Sequence, residues 1–232
     1  MTRRLPSEPA QLARAGWRRP PLWVVIIVVA TLLALAAAAY LLLRPLEGPV
    51  PDGVEVHYAG LERGYTEQGF ARLGSPDAPT LIEDFSSYAC PHCRTFHDEQ
   101  FEDLLDEIAA GQVQFVMIPI PHIGSGARNA ARGALCAGEQ GKFWEMHDTL
   151  FHWQDKFLTS VFDERRIKLG AENLGLDMPA FEQCLASDQI DRVIDAARHE
   201  FDRRGLTGTP TFFINGQKVQ DYREIEDLNT SS

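Results

Sequence analysis

Cysteine is scarce in this sequence: the 232 residues hold four, and none of them precedes Cys90. A lipid anchor on an N-terminal cysteine is therefore not expected. Cys90 and Cys93 stand three positions apart, whereas Cys136 and Cys184 are isolated. A zinc site needs further ligands at close spacing, and a disulfide between cysteines three apart closes a loop too short to stabilise much. A redox-active pair is the favoured interpretation, with zinc ligation and a purely structural disulfide as the alternatives.

Histidine adds no clear metal-binding pattern. Several histidines outside the cysteine pair lack metal-ligand spacing, namely His97, His122, His147, His152 and His199. Of these, His147 and His152 fit a helix surface or a satisfied core better than a ligand pair. We therefore predict neither a metal nor a cofactor.

Positive charge is also in short supply, with 22 lysines and arginines against 33 acids and a formal charge of −11 at pH 7. The first 44 residues hold six arginines and one acid, which is +5, so the remainder carries −16. A surface of that sign argues against nucleic-acid binding and is ordinary for an exported domain. It does not identify a substrate.

No charged residue interrupts Leu22–Leu43, an apolar run of 22 residues that is long enough to cross a bilayer as a helix. The arginine-rich segment before it, residues 1–21, is expected to stay in the cytoplasm, because positive flanks do so. The sequence thus predicts a single-pass signal-anchor in the cell membrane, with the rest of the chain outside the cytoplasm. A cleavable signal peptide, with small residues at Ala36–Ala39 as its cleavage site, is the alternative.

The chain is organised around Cys90-Pro91-His92-Cys93. An apolar strand pattern over Leu81–Phe85 leads into this motif, and a helical pattern follows it. Cys90 would then lie at the N-terminal end of a helix, where unpaired N–H groups and the helix dipole stabilise a thiolate. Pro91 suits the first helical turn. His92 either donates a hydrogen bond or positive charge to the thiolate or is an exposed spectator.

Composition and pattern divide the remaining chain. Pro45–Gly53 indicates a linker, and Val54–Tyr58 alternates like a strand. Val113–Ile118 predicts a second central strand, and Asn215-Gly216 between two apolar runs is a strong hairpin signal. Between these last two features the sequence shows five helical patterns: Ala127–Ala137, Lys142–Phe157, Asp163–Leu174, Pro179–Ala186 and Ile190–Arg204.

These features resemble the DsbA-like branch of the thioredoxin superfamily, the thiol:disulfide oxidoreductases of bacterial envelopes. Cys-Pro-His-Cys is that family's motif, and Gly74–Pro79 and Gln140–Asp148 match stretches typical of it. The resemblance implies an α/β protein, a thioredoxin fold with an all-helical domain inserted at about residues 125–205. Residues 221–228 allow only a short final helix before a tail at 229–232. The predicted order is a cytoplasmic tail (1–21), a transmembrane helix (22–43), a linker with an N-terminal extension (44–68) and the DsbA-like domain (69–232).

The resemblance also implies roles for individual residues. By its spacing from Cys90, Asp84 resembles the buried acid that relays the proton of the second cysteine, Cys93; a surface acid is the alternative. Thr209 and Pro210 resemble the cis-proline loop, which faces the cysteine pair and binds a substrate strand by β-augmentation.

Some DsbA-like proteins carry an extra disulfide in the helical domain, and Cys136 and Cys184 are its candidates here. Two free buried cysteines acting as small hydrophobes are one alternative. A redox relay between these two and the Cys90–Cys93 pair is another.

The implied activity is thiol–disulfide exchange, with Cys90 as nucleophile and Cys93 as resolving cysteine. The Pro-His dipeptide resembles that of oxidases, so we expect a disulfide oxidase for exported proteins with free thiols. The resemblance further implies reoxidation by a quinone-linked membrane partner of the DsbB or VKOR type. A reductase or isomerase of the same fold and a non-enzymatic holdase or binding module are the alternatives. The short segment before the domain favours a monomer, and the sequence does not identify the clients.

Overall fold

The computed structural model describes residues 20–43, 46–157 and 160–219. It divides the chain into two compact units, Met1–Pro45 and Leu46–Ser232. The predicted basic tail before residue 20, the final helix over residues 221–228 and the tail after it lie outside the described residues.

The first unit contains one described helix, α1 (Leu22–Leu43). Its large apolar side chains are mostly exposed. The hydroxyl of Thr31 donates a hydrogen bond to the carbonyl oxygen of Ile27 at 2.8 Å, so the helix itself satisfies this polar group. Within the described residues, α1 is the one helix whose length and composition suit a membrane crossing.

The second unit is built on a six-stranded sheet. The strands in chain order are β1 (Arg63–Tyr65), β2 (Ala71–Leu73), β3 (Thr80–Ser86), β4 (Val113–Pro119), β5 (Thr211–Ile214) and β6 (Gln217–Lys218). Their spatial order is β1-β2-β4-β3-β5-β6. The central strands β3 and β4 pair in parallel, and the other neighbours pair antiparallel. A parallel pair needs a crossover connection, and the helix that follows β3 supplies it.

That crossover is a helical segment in three parts: α3 (Pro91–Phe96), a π-helical turn (His97–Phe101) and α4 (Glu102–Ala109). Phe96 and Phe101 stand five apart, yet both are buried. An uninterrupted α-helix would turn them about 140° away from each other. The wider π turn therefore keeps both rings on the core side.

Between β4 and β5 the chain forms the predicted helical insertion. Its helices are α5 (Ala127–Gly138), α6 (Phe143–Lys156), α7 (Glu164–Asn173), α8 (Met178–Leu185) and α9 (Asp188–Arg203). Side chains of Asp163, Asp177 and Ser187 cap α7, α8 and α9 by accepting a backbone N–H. The thioredoxin fold with its helical insertion is therefore confirmed, and the helix bounds differ from the predicted ones by at most two residues.

Two apolar clusters cover the two faces of the sheet. The larger includes Ile82 and buried residues of α3 to α8 and of the first half of α9, and the smaller includes Phe85 with Ala197 and Phe201 from the second half of α9. Side chains alternate along β3, so Asp84 lies on the face of Ile82 and Glu83 on that of Phe85. Arg204 contacts Glu83 on that second face, with 2.7 Å between Nη2 and Oε1. The neighbouring acids of β3 thus occupy opposite faces.

The predicted strand at Val54–Tyr58 is wrong. Residues Val54–His57 form a short helix, α2. Val54 and Tyr58 are buried, whereas Val56 between them is 72% exposed. A strand would place all three side chains on one face, but a helical turn buries only the outer two.

The predicted linker also differs from the structure, because its described part belongs to the second unit and packs against the helices of the insertion. The side-chain amide of Asn173 donates to the carbonyl oxygen of Gly48 (2.8 Å), and the indole N–H of Trp153 donates to that of Pro49 (2.7 Å). A Cβ atom on Gly48 would lie 2.7 Å from the backbone nitrogen of Gly170, so this close approach requires glycine. The compact unit therefore begins well before the predicted start at residue 69.

Candidate active site

Strand β3 leads directly to the cysteine pair. Cys90 is the N-cap of α3, and Pro91 occupies its first turn. The backbone N–H of Arg94 donates to the carbonyl oxygen of Cys90 (3.2 Å), which closes the first helical hydrogen bond. Cys93 lies one turn further on, and both cysteines are free thiols. The N-terminal end of the helix thus offers its unpaired N–H groups to Cys90.

The two thiols differ in acidity. A hydrogen bond from Cys93, together with Thr209 and the backbone N–H groups of Cys93 and His92, lowers the pKa of Cys90 to about 5. Burial raises the pKa of Cys93 well above its ordinary value, and the hydrogen bond with Cys90 and the charge of Asp84 raise it further. At pH 7 the pair is therefore a thiolate at Cys90 and a thiol at Cys93.

Asp84 is buried in β3, with 2% of its surface exposed. Burial raises its pKa to about 7, although a hydrogen bond donated by the Ser86 hydroxyl (2.5 Å) favours the carboxylate. The alternative of a surface acid is therefore wrong. A carboxyl group with this pKa gains and loses a proton near neutral pH.

The loop before β5 meets the cysteine pair. The peptide bond between Thr209 and Pro210 is cis. Sγ of Cys90 lies 3.2 Å from the carbonyl oxygen of Thr209 and donates a hydrogen bond to it when the thiol is protonated. The hydroxyl of Thr209 is buried beside the pair and helps to lower the pKa of Cys90. The structure thus brings the predicted substrate loop and the predicted nucleophile into contact.

The two residues between the cysteines, Pro91 and His92, are exposed. For His92 the sequence allows two interpretations, an imidazole that acts on the thiolate and an exposed spectator. In the structure, the contribution of His92 to the low pKa of Cys90 comes from its backbone N–H. The exposed dipeptide leaves one side of the cysteine pair open to solvent.

A largely buried polar network, which no motif in the sequence predicts, lies beside α3 and the π turn. Asp148 on α6 accepts hydrogen bonds from His97 Nε2 (2.9 Å), His57 Nδ1 (3.0 Å) and the hydroxyl of Tyr58. Burial alone would lower the pKa of His97, but its hydrogen bonds to Asp148 and Asp98 raise it to about 9. His97 is therefore a cation at pH 7, and Asp148 holds it to the insertion.

Three members of this region have the atoms of a metal site. His97, His147 and Asp148 bring one potential ligand atom each within 4.8 Å of one another. The sequence does not predict this group, because His97 and Asp148 lie 51 positions apart and form no metal-binding motif. However, hydrogen bonds already engage all three: His97 Nδ1 contacts Asp98 (3.1 Å), and His147 Nδ1 contacts the hydroxyl of Tyr88 (3.1 Å). Hydrogen bonding therefore explains the cluster without a metal.

Cys136 on α5 and Cys184 on α8 are joined by a disulfide across 48 positions. Both are buried within the insertion. The alternative of two free cysteines does not hold in this structure. The bond therefore links α5 to α8, two helices that are separated along the chain by α6 and α7.

An acidic thiol beside a buried second thiol can form, pass on and resolve a mixed disulfide, which is the chemistry of thiol–disulfide exchange. The fold and the cysteine pair therefore define a class, the DsbA-like thiol:disulfide oxidoreductases. The sequence profile described as Thioredoxin matches residues 66–231. The chain belongs to the thioredoxin family.

Known relatives include a protein of that class and part of a larger transporter. The chain is 24% identical over 169 residues to disulfide bond formation protein D of Bacillus subtilis, covering 67% of this chain and 72% of the relative. It is 33% identical over 162 residues to Na(+)/H(+) antiporter NhaA 3 of Salinispora tropica, covering 68% of this chain but only 23% of the antiporter. Because most of the antiporter has no counterpart in this match, ion transport is not assigned to this chain.

A solved structure supports the fold. The crystal structure of oxidised BdbD from Bacillus subtilis superposes with a TM-score of 0.64 at 20% sequence identity. The match covers 74% of this chain and 95% of that one. It therefore includes nearly the whole BdbD structure.

Proposed function

We propose that the chain is a membrane-anchored, extracytoplasmic disulfide oxidase, which forms disulfides in exported proteins through Cys90 and Cys93. The observation that carries the proposal is the position of Cys90 at the N-terminal end of α3, beside Thr209 and one turn before the free thiol of Cys93, which lowers the pKa of Cys90 to about 5. A low pKa makes Cys90 a good leaving group and stabilises the reduced pair, and both effects favour oxidation of the substrate.

The exchange proceeds in two steps. A substrate thiolate attacks Sγ of Cys90 in the oxidised pair; the bond between Cys90 and Cys93 breaks, and Cys93 leaves with the electron pair. A second substrate thiolate then attacks the substrate sulfur of the mixed disulfide, and Cys90 leaves as a thiolate. The substrate loses two electrons and two protons. The pair takes up both electrons and one proton, at Cys93, and the other proton passes to solvent.

The proton for Cys93 comes from Asp84 in this mechanism. The high pKa of Cys93 makes its bare thiolate a poor leaving group, so the sulfur needs a proton as it leaves. Asp84 is buried on the face of the sheet that Ile82 and the larger apolar cluster occupy, and Cys93 belongs to that cluster. Its pKa of about 7 allows the transfer of a proton. In the reverse direction Asp84 takes the proton from Cys93 as that thiol resolves a mixed disulfide.

We expect Asp84→Asn to slow the resolution of a mixed disulfide between Cys90 and glutathione by about ten- to a hundredfold. The upper value is the low end of the range for general acid–base catalysis, about a hundred- to ten-thousandfold. Stopped-flow release of glutathione measures the rate. In the wild type the rate should rise with pH through an inflection near 7, and the variant should lack that inflection.

Glu83→Gln is the matched control, because it is the same kind of change one residue earlier, on the opposite face of β3 beside Arg204. It should leave the inflection in place. An unchanged rate in Asp84→Asn would contradict the proton relay.

Substrate binding is proposed at the carbonyl oxygen of Thr209. Sγ of Cys90 can donate to this oxygen only while it carries its proton. Neither the thiolate nor a mixed disulfide has that proton, so in both states the oxygen is free to accept an N–H from the substrate backbone. An extended substrate segment would then pair with the loop by β-augmentation.

The equilibrium of the Cys90–Cys93 pair with glutathione tests the direction of electron flow. For the oxidase we expect a reduction potential of about −120 mV, as for strong oxidants, and net oxidation of a reduced model substrate. A reduction potential of about −270 mV, typical of thioredoxin, would instead support a reductase. If a Cys90→Ser/Cys93→Ser variant retained full biological activity, the protein would be a binding module.

The cellular setting completes the proposal. Helix α1 would anchor a monomer in the cell membrane with its N-terminus in the cytoplasm. Each turnover leaves the pair reduced, so sustained oxidation needs an electron acceptor. A quinone-linked membrane protein of the DsbB or VKOR type fits that need, because it lies in the same membrane.

A further inference from the structure

Helix α6 of the insertion contacts the loop that carries Cys90. The hydroxyl of Tyr88, two residues before Cys90, shares a hydrogen bond with His147 Nδ1 at 3.1 Å. The ring of Tyr88 packs between His147 and Phe151, with ring centroids 5.5 and 5.1 Å apart. Burial lowers the pKa of His147 to about 3, so its ring is neutral and can share this hydrogen bond without a charge. The side chain of Tyr88 is thereby fixed to α6.

A second residue of α6 holds the backbone of the same loop. Gln154 lies seven positions after His147, about two helical turns along the same face. Its side-chain Nε2 donates to the carbonyl oxygen of Tyr88 at 2.6 Å and to that of Cys90 at 3.3 Å. Gln154 therefore contacts the residue that carries the nucleophile.

Helix α6 also contacts the helical segment that follows Cys90, through Asp148 and Asp155. Asp148 contacts His97 at 2.9 Å, and Asp155, seven positions further on, contacts Arg94. Both sides of Cys90, the loop before it and the helix after it, are thus attached to α6. A displacement of α6 would move the thiol relative to Thr209.

We propose that Gln154 is a positioning residue for Cys90, through which the helical insertion sets the acidity of the nucleophile. The carbonyl oxygens of Cys90 itself and of Tyr88, two residues before it, carry partial negative charge, and the side-chain N–H groups of Gln154 oppose that charge. They also hold the loop so that Sγ stays at the N-terminus of α3. This inference rests on the proposed function of the Cys90–Cys93 pair.

The test compares three variants of the full chain, purified in detergent. Gln154→Leu removes the donor. Gln154→Glu keeps nearly the same shape but replaces the donor with a negative charge. Gln140→Leu is the control, because Gln140 also makes two hydrogen bonds, to the backbone of Asp177 at 2.8 and 3.1 Å, in the connection between α5 and α6.

Two properties of each variant are measured. One is the equilibrium constant for oxidising glutathione, and the other is the pH profile of Cys90 alkylation. For Gln154→Leu we expect the constant to fall by about three- to tenfold, the ratio that one hydrogen bond is worth. The midpoint of the alkylation profile should move to higher pH, and Gln154→Glu should move it further. Gln140→Leu should lower the unfolding midpoint but leave both properties unchanged.

The outcomes separate this inference from the proposed function. If the wild type showed no acidic thiol and no oxidising pair, the proposed function would fail. If the wild type showed both and Gln154→Leu matched it, only the positioning role would fail. An equal shift in Gln140→Leu would mean that lost stability, and not the contact with the loop, moves the thiol pKa.

Discussion

Alkylation of Cys90 by iodoacetamide in the reduced full chain is expected to reach half of its plateau rate near pH 5, because the pKa of this thiol is lowered to about 5. An ordinary thiol reaches half of its plateau rate at about pH 8.5. At pH 6 the thiolate fraction of Cys90 should exceed that of an ordinary thiol by about 300-fold. A less basic thiolate is also a weaker nucleophile, which offsets part of this gain. The midpoint of the profile is therefore the quantity to measure.

Cys93 supplies the internal control for this experiment. It is fully buried and its pKa is raised, so mass spectrometry should find the label on Cys90 alone at pH 7. Cys136 and Cys184 are joined in a disulfide and offer no thiol. A midpoint above pH 8, or equal labelling of both cysteines, would contradict the proposed assignment of the nucleophile.

The same shift predicts how the stability of the reduced protein depends on pH. The folded-state pKa of Cys90 lies below its unfolded value, so its contribution to stability is complete above about pH 8.5 and is lost as the pH falls through about 5. The raised pKa of Cys93 acts only above its unfolded value. Between pH 5 and 8 the stability of the reduced form relative to the oxidised form should therefore increase with pH.

Breaking the disulfide between Cys136 and Cys184 is expected to lower the free energy of unfolding by about 4 kcal/mol. The bond closes a loop of 48 positions, and the chain-entropy relation gives about this value for such a loop. That corresponds to about a thousandfold change in the unfolding equilibrium. Denaturant unfolding followed by the fluorescence of Trp144 and Trp153, both buried, measures it.

The comparison is best made within one variant, Cys90→Ser/Cys93→Ser, with and without reductant. The redox pair is then absent, and the oxidised and reduced forms differ only in this bond. A Cys136→Ala/Cys184→Ala variant serves as the control, since reductant should not change its unfolding curve. If the two redox forms of the first variant unfolded at the same denaturant concentration, the stabilising role would be wrong.

Much of the site could be predicted because its parts are local in sequence. The strand before Cys90, the proline at Pro91 and the helical pattern after Cys93 specify a strand, a turn and a helix start within about twenty residues. Asn215-Gly216 specifies the turn between β5 and β6 in the same local way. Long amphipathic stretches with clear ends likewise predicted the inserted helices to within one or two residues.

The missed features depend on contacts between distant segments. Strands β1 and β2 have three residues each, too few to show a period. Helix α2 forms because Val54 and Tyr58 find a buried surface, and nothing in the local pattern specifies that surface. The hydrogen bonds of Asp148 join it to His57 and His97 across 91 and 51 positions. Residues this far apart give no spacing that a motif could capture.

The π turn at His97–Phe101 has a consequence for comparisons between relatives. It holds one residue more than an α-helical turn needs, so a relative whose crossover helix is uninterrupted should align only with a one-residue gap there. Deleting Gln100 would bring Phe96 and Phe101 to the ordinary four-residue spacing. Both rings would then lie on the core side of an ordinary α-helix, so the end that bears the cysteines should keep its orientation relative to α4. The π turn therefore accommodates one extra residue without rotating the reactive end of this helix relative to its core-packed end.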